Sequence, residues 1–324
     1  MKIAMIGSGA AGSVFAAYLR RGGAELYLVD RYKAHMDKIA SDGLVFCCKG
    51  EECCLTGFHT SACADCLPVM DIVILMVKAT QTDDVMPDVM HCVGPDTVLV
   101  SLQNGIGNDE ILAKYVPAGR IMYGAGVIGT ELKGPGVCVS KPEDGIQMFF
   151  GAVEKSPQTD RAGKYLQETF EAGGCHASFE DDVRVLLWKK AITNSGYNAV
   201  CTVTRLKIGF VENNPYGKKL FHNVIRECCA VANAKGVKMD ADEFIRVDHQ
   251  HIIDNISDYY PSMAQDMLYK KLRTEVDTLT GAISDYGKQF NIPTPTCDVL
   301  SDIVRCIQDN YDNQYGEKNG AVNG

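Results

Sequence analysis

Six residues near the amino terminus narrow the fold more than any other part of this chain. Lys2 to Ile6 is a short apolar run, Gly7-Ser8-Gly9-Ala10-Ala11-Gly12 follows, and Ser13 to Arg21 carries Val14, Phe15, Ala17, Tyr18 and Leu19 as expected of a helix. A second apolar run, Glu25 to Val29, ends in Asp30, eighteen residues after Gly12. Strand, glycine turn, helix, strand and acid in that order predict a βαβ unit that holds a dinucleotide. Glycines permit the tight turn and the close approach of backbone to a pyrophosphate, which sits at the positive end of the helix. Gly7, Ser8, Gly9, Ala10, Ala11 and Gly12 are therefore the expected phosphate loop, and Asp30 the acid that bonds the adenosine ribose. Arg31 leaves the cofactor subtype open. The carboxylate of Asp30 favours NAD(H), whereas the guanidinium, with Lys33 nearby, could pair with the 2′-phosphate of NADP(H).

Further strands bring more ligand-type residues to the same rim. Asp71 to Val77 is a continuous apolar run, as expected of a strand buried on both faces of a parallel sheet, and Lys78 stands at its carboxyl end. Thr97 to Leu102 is the next strand and delivers Gln103-Asn104-Gly105-Ile106-Gly107. Open α/β sheets bind ligands at that edge. Tyr32 to Ser41 reads as a helix, and Leu44 to Cys48 with Cys53 to Thr56 as a hairpin around Lys49-Gly50-Glu51-Glu52. Arg120 to Thr130, Gly136 to Ser140 and Gly145 to Val153 read as strands, the last antiparallel, before a helix over Thr159 to Ala172.

Past about residue 179 the pattern turns helical: a segment carrying Lys190, then Pro215 to Lys235, Ala241 to Ile256, and a long stretch from Thr274 to Asp309. The expected organisation is an α/β dinucleotide-binding domain over 1–178, a helical substrate and dimerisation domain over 179–312, and a disordered Gly- and Asn-rich tail over 313–324. In the middle segment Lys190, Asn194 and Asn198 recur every four residues. At about 100° per residue the ammonium and both amides share one stripe of a helix. Asn competes with the helical backbone for hydrogen bonds and is a poor choice for a merely solvated face, so the stripe reads as a ligand-facing line of donors.

Composition restricts the partners. A net charge of -9 over 324 residues argues against nucleic acid or an anionic membrane as the main partner. No apolar segment approaches the roughly 18 residues needed to span a bilayer. The 14 cysteines include adjacent pairs at Cys47-Cys48, Cys53-Cys54 and Cys228-Cys229, which suggests reduced thiols and a cytoplasmic protein. Cys63-Ala64-Asp65-Cys66 lacks the paired spacing of a four-cysteine zinc site, and His249 and His251 are spaced wrongly for a joint ligand pair. No metal site is expected, and both imidazoles are read as surface groups.

Together the glycine loop, Val77-Lys78-Ala79-Thr80-Gln81-Thr82, Leu102-Gln103-Asn104-Gly105-Ile106-Gly107 and Leu187-Trp188-Lys189-Lys190 with Asn194 and Asn198 resemble the ketopantoate reductase family. Pro261-Ser262-Met263-Ala264-Gln265-Asp266 and Arg273-Thr274-Glu275-Val276-Asp277 form a second family-like block, with one extra residue between them at Tyr269-Lys270-Lys271-Leu272. The resemblance implies a Rossmann-type amino-terminal domain and an all-helical carboxyl-terminal domain of the 6-phosphogluconate dehydrogenase type. It implies reduction of a 2-keto acid, ketopantoate first, by NADP(H) as family default or by NAD(H) on account of Asp30. Lys190 would protonate the keto oxygen, Glu275 would orient Lys190 or accept from a substrate hydroxyl, and Asn194, Asn198 and Ser262 would hold the acid. Lys78 and Asn104 would serve both cofactor and small-molecule substrate. The helical domain has enough apolar surface to support a homodimer. At Ile208 some members carry an asparagine, and its loss favours another branched or aromatic 2-hydroxy acid as the alternative substrate. The remaining alternative is a noncatalytic dinucleotide or redox sensor.

Overall fold

The computed structural model describes residues 1–142 and 147–314. It divides into two compact units, Met1–Leu187 and Trp188 onward. Ser178, where the sequence pattern changes, lies within a strand of the first.

The first unit begins with β1 (Lys2–Ile6), α1 (Ala10–Arg21), β2 (Glu25–Val29) and α2 (Lys33–Asp42). β3 (Leu44–Cys48) and β4 (Glu51–Leu55) form a hairpin whose connecting residues Lys49 and Gly50 both have positive φ, the geometry of a primed turn. Next come β5 (His59–Ser61), β6 (Met70–Leu75), α3 (Thr82–Val89), β7 (Val93–Ser101), α4 (Asn108–Leu112) and β8 (Ile121–Gly126). β9 (Ile128–Gly134), β10 (Val137–Pro142), β11 (Met148–Ala152), α5 (Pro157–Ala172) and β12 (Ala177–Glu180) complete it.

An eight-stranded sheet runs β12-β11-β8-β7-β6-β1-β2-β5, parallel throughout except for the β11–β8 pair. Chain order reverses at β1, with β2 on one side and β6 on the other, so the carboxyl ends of these strands open a crevice at the switch point. Ile72, Val73, Ile74 and Leu75 are all fully buried, as the unbroken apolar run requires. A second sheet, β4-β3-β10-β9, is tied to α1 by Tyr18, whose hydroxyl lies 2.8 Å from Ser140 Oγ and whose ring meets Phe46 edge-on. Two expectations need correction here. Arg120 to Thr130 is two strands, divided at Val127 between β8, in the large sheet, and β9, in the small one. The hairpin's return strand starts at Glu51, earlier than its apolar residues show. β12 had no periodic signal of its own.

Helix α6 (Arg184–Thr204) runs across the division between the units and is the element that matters most in the second. Trp188, Ala191, Ile192, Ser195, Tyr197 and Asn198 are buried along it. It is followed by α7 (Ile208–Glu212), α8 (Pro215–Ala234), α9 (Ala241–Phe244), α10 (Gln250–Ile256), α11 (Ser262–Gln265), α12 (Thr280–Phe290) and α13 (Pro295–Gln308). Asn214 caps α8 by accepting from Tyr216 and Gly217 N–H, with Pro215 at the first position. The predicted helix over Ala241 to Ile256 contains one π-helical turn, Ile245–His249, between α9 and α10. The predicted stretch from Thr274 to Asp309 is interrupted: Asn291 is left-handed at φ 55°, and Pro295 starts α13 afresh. The chain up to Leu279 forms only a 3₁₀ turn, Val276–Thr278. The tail expected over 313–324 falls, apart from Asn313 and Gln314, outside the described residues.

Candidate active site

The crevice at the switch point is a cavity of about 510 Å³. Gly7, Gly9 and Ala10 line it from the loop, Asp30 and Arg31 from the end of β2, Cys63 from the loop after β5, and Lys78 from the end of β6. The three glycines do different work. Gly7 has φ +95° and a Cβ there would sit 2.5 Å from the Val77 nitrogen. At Gly12 a Cβ would fall 2.0 Å from the Gly7 carbonyl oxygen, so these two glycines let strand, loop and helix pack. A Cβ on Gly9 would meet nothing within 4 Å. Packing therefore does not require glycine at position 9, and the missing side chain leaves the backbone there open to close approach. No side chain caps α1, and its first turn carries no acid, so its leading N–H groups face the loop open to an anion.

Ser8 takes no part through its side chain, which is buried with Oγ directed at the Met5 carbonyl 3.4 Å away. Ala11, Gly12 and Asn104 do not line the cavity either. Asp30 Oδ1 accepts from the Tyr32 N–H at 2.8 Å, which holds the carboxylate at the rim. Lys33 is engaged with Asp37 at 2.7 Å, which leaves Arg31 as the cation that lines this end.

Two buried side chains hold the loops in place: His35, for which the sequence suggests no role, and Gln103, which it places among the ligand-type residues of the rim. Gln103 donates to the Val77 carbonyl at 2.8 Å and to Thr82 Oγ1 at 2.9 Å, and accepts from Ser101 Oγ at 2.8 Å. It thereby clamps the turn after β6 that carries Lys78. Fully buried His35 accepts the Gly136 N–H at Nδ1 over 2.8 Å, which leaves Nε2–H to donate to Ser13 Oγ at 2.9 Å. Ser13 in turn donates to the Ser8 carbonyl at 2.7 Å. Burial pushes the His35 pKa down, against the opposing charge of Asp30, so the ring is neutral as this relay requires. Neither bracing role is legible in the sequence, because each is defined by partners far away in the chain.

In the second unit α6 presents Lys190, Asn194 and Asn198, the last of them 4% exposed. Lys189, about 100° around the helix, is committed to Asp248 at 2.9 Å. Lys190 is partly exposed, and burial of its ammonium lowers its pKa to about 8 while the charge of Glu275 opposes the shift. Thus Glu275 acts electrostatically on Lys190 despite standing in a different segment. Its neighbours are used elsewhere: Arg273 pairs with Asp309 and Asp277 with Arg305, each at 2.7 Å. Ser262 is exposed at the first position of α11. Ile208 is 1% exposed and belongs to the packed interior.

The reading of both His249 and His251 as surface groups is half wrong. His251 is exposed, but His249 is 2% exposed, bonded to the Tyr197 hydroxyl at 2.7 Å and to Glu212 at 2.9 Å. The π-helical turn carries it inward, a local rewinding that regular helical spacing does not anticipate.

Comparison with known proteins matches residues 3–153 to the family described as Ketopantoate reductase PanE/ApbA, and residues 182–308 to Ketopantoate reductase PanE/ApbA C terminal. A 2-dehydropantoate 2-reductase of Aquifex aeolicus is 30% identical, over 94% of this chain and 96% of its own length. That of Lactococcus lactis is 29% identical, over 94% and 97%. Among solved structures, D-mandelate dehydrogenase with NADH and anilino(oxo)acetate superposes with a TM-score of 0.87 at 28% identity, covering 96% of this chain and 100% of that one.

Proposed function

Because the chain belongs to the ketopantoate reductase family, we propose that it reduces 2-dehydropantoate to pantoate, with a pyridine dinucleotide held by the glycine loop and Lys190 as general acid. The observation that carries this reading is the lowered pKa of Lys190, about 8, on the same stripe as Asn194 and Asn198. An ammonium so poised is protonated at neutral pH yet releases its proton readily, which is what a general acid needs.

When bound, the reduced nicotinamide supplies the hydride to the carbonyl carbon. Lys190 donates a hydrogen bond to the keto oxygen, stabilises the negative charge that grows there, and passes it a proton to give the alcohol. Glu275 keeps the ammonium charged between turnovers, and Asn194, Asn198 and Ser262 bind the carboxylate and neighbouring oxygens of the substrate. Lys78 and Asn104 contribute from the dinucleotide-binding unit. Asp30 at the rim, with Lys33 engaged elsewhere, favours NADH over NADPH. Exposed Phe210, Tyr216 and Tyr269 support a homodimer, and fourteen free thiols support a cytoplasmic location.

A second reading is reduction of a bulkier 2-keto acid by NADH, favoured by apolar Ile208 and by the similarity to D-mandelate dehydrogenase. The test is steady-state oxidation of NADH and NADPH with ketopantoate and a panel of aliphatic and aromatic 2-keto acids. The highest kcat/KM should fall on ketopantoate. A preference for an aromatic keto acid transfers the assignment to the second reading, and failure of every keto acid overturns both.

A further inference from the structure

We propose that Glu212, His222 and His249 form a binding site for one divalent transition-metal ion of the zinc type, separate from the dinucleotide cavity and from the Lys190 stripe. A ring nitrogen of each histidine and a carboxylate oxygen of Glu212 lie within 4.8 Å of one another. Two imidazoles and one carboxylate are a ligand set that zinc accepts, with a water completing the tetrahedron. They come from three elements: the last residue of α7, the middle of α8 and the end of the π-helical turn.

Several features go beyond proximity. His222 Nε2 is buried without a hydrogen-bond partner among the described residues, an unusual state for a ring nitrogen that a metal would resolve. Glu212 is 9% exposed; Lys218 holds its Oε1 at 2.7 Å, and Oε2 faces His249 Nε2 at 2.9 Å. His249 Nδ1 lies 2.7 Å from the Tyr197 hydroxyl, the outer hydrogen bond that orients ligating imidazoles. The π-helical turn that brings His249 inward is a feature frequent at functional sites. Burial lowers the pKa of both histidines, so both present neutral, metal-competent rings at neutral pH. Tyr197 belongs to α6, so the ion would brace the helix that carries Lys190.

The test is equilibrium dialysis of the full chain against zinc, followed by cobalt substitution, in a C63S/C66S background that removes the exposed Cys63-Asp65-Cys66 cluster. One zinc per chain is expected, with tetrahedral cobalt absorption that lacks thiolate charge-transfer bands. The melting temperature should rise by roughly 5 °C at a hundredfold excess over Kd. His222→Gln should weaken zinc at least tenfold relative to the C63S/C66S parent, with dinucleotide binding equal to that of the same parent. Equal zinc affinity in His222→Gln, loss of all zinc in the C63S/C66S background, or octahedral cobalt would overturn the site. The cobalt spectrum decides even if His222→Gln misfolds, because it requires no change to the three ligands. Keto acid turnover does not enter this test, so its failure is distinguishable from failure of the proposed activity.

Discussion

The sites proposed at the glycine loop and on helix α6 are built from opposite materials. At the loop the working parts are backbone: positive φ at Gly7, a carbonyl against which Gly12 packs, and uncapped N–H groups at the start of α1. On α6 they are side chains, whose chemistry depends on how deeply they are buried and which charges stand near them. A backbone site tolerates almost no change in residue size. A side-chain site tolerates conservative packing changes but loses its chemistry with a single functional group.

The largest effect should separate the two regions. Lys190→Ala is expected to lower kcat by about 10² to 10⁴, the usual contribution of a general acid, with dinucleotide Kd unchanged by titration. A variant that retained turnover would remove Lys190 from the chemistry. Next is Gly12→Ala, whose Cβ would fall 2.0 Å from the Gly7 oxygen. It should cost on the order of 3 kcal/mol of unfolding free energy in denaturant titration, because the oxygen belongs to backbone and cannot step aside. Gly9→Ala sharpens the contrast, since it meets no protein atom. Its stability should match the parent, while dinucleotide affinity falls roughly tenfold, about 1.4 kcal/mol.

Smaller effects test the tuning of each region. Asp30→Asn should shift the NADPH-to-NADH ratio of kcat/KM by roughly tenfold toward NADPH, because it removes the charge that repels a 2′-phosphate. An unchanged ratio would transfer selection to Arg31. The smallest effect concerns pH. In the parent, kcat should decline above about pH 8 as Lys190 loses its proton. The Glu275 carboxylate raises that pKa, so Glu275→Gln should move the decline to lower pH. A profile that stays in place would show that Glu275 does not act on the reacting ammonium.

Legibility followed the same division. The βαβ unit, the buried β6 run and the existence of a hairpin around Lys49-Gly50 could be read because each depends on neighbours a few residues away, although the two-residue length of its turn could not. Splitting of the strand at Val127 could not, since β8 and β9 choose different sheets by partners remote in the chain. Ser8 shows the limit within a readable motif: its side chain turns into the interior while its backbone stays at the loop. Gln103 and His35 were invisible as braces for the same reason, since their bonds reach Thr82 and Gly136.

By itself the sequence determined the strand, glycine turn, helix and strand at the amino terminus, the buried β6 run and the single stripe of Lys190, Asn194 and Asn198. Backbone sterics and helical period are local, so residue type and spacing suffice to express them. Only the tertiary structure decided that burial of Lys190 lowers its pKa to about 8 against the opposing charge of Glu275, and that His249 is buried beside Glu212 and Tyr197. Burial and electrostatic coupling are set by whatever the fold packs around a group, and those neighbours lie tens of residues away along the chain.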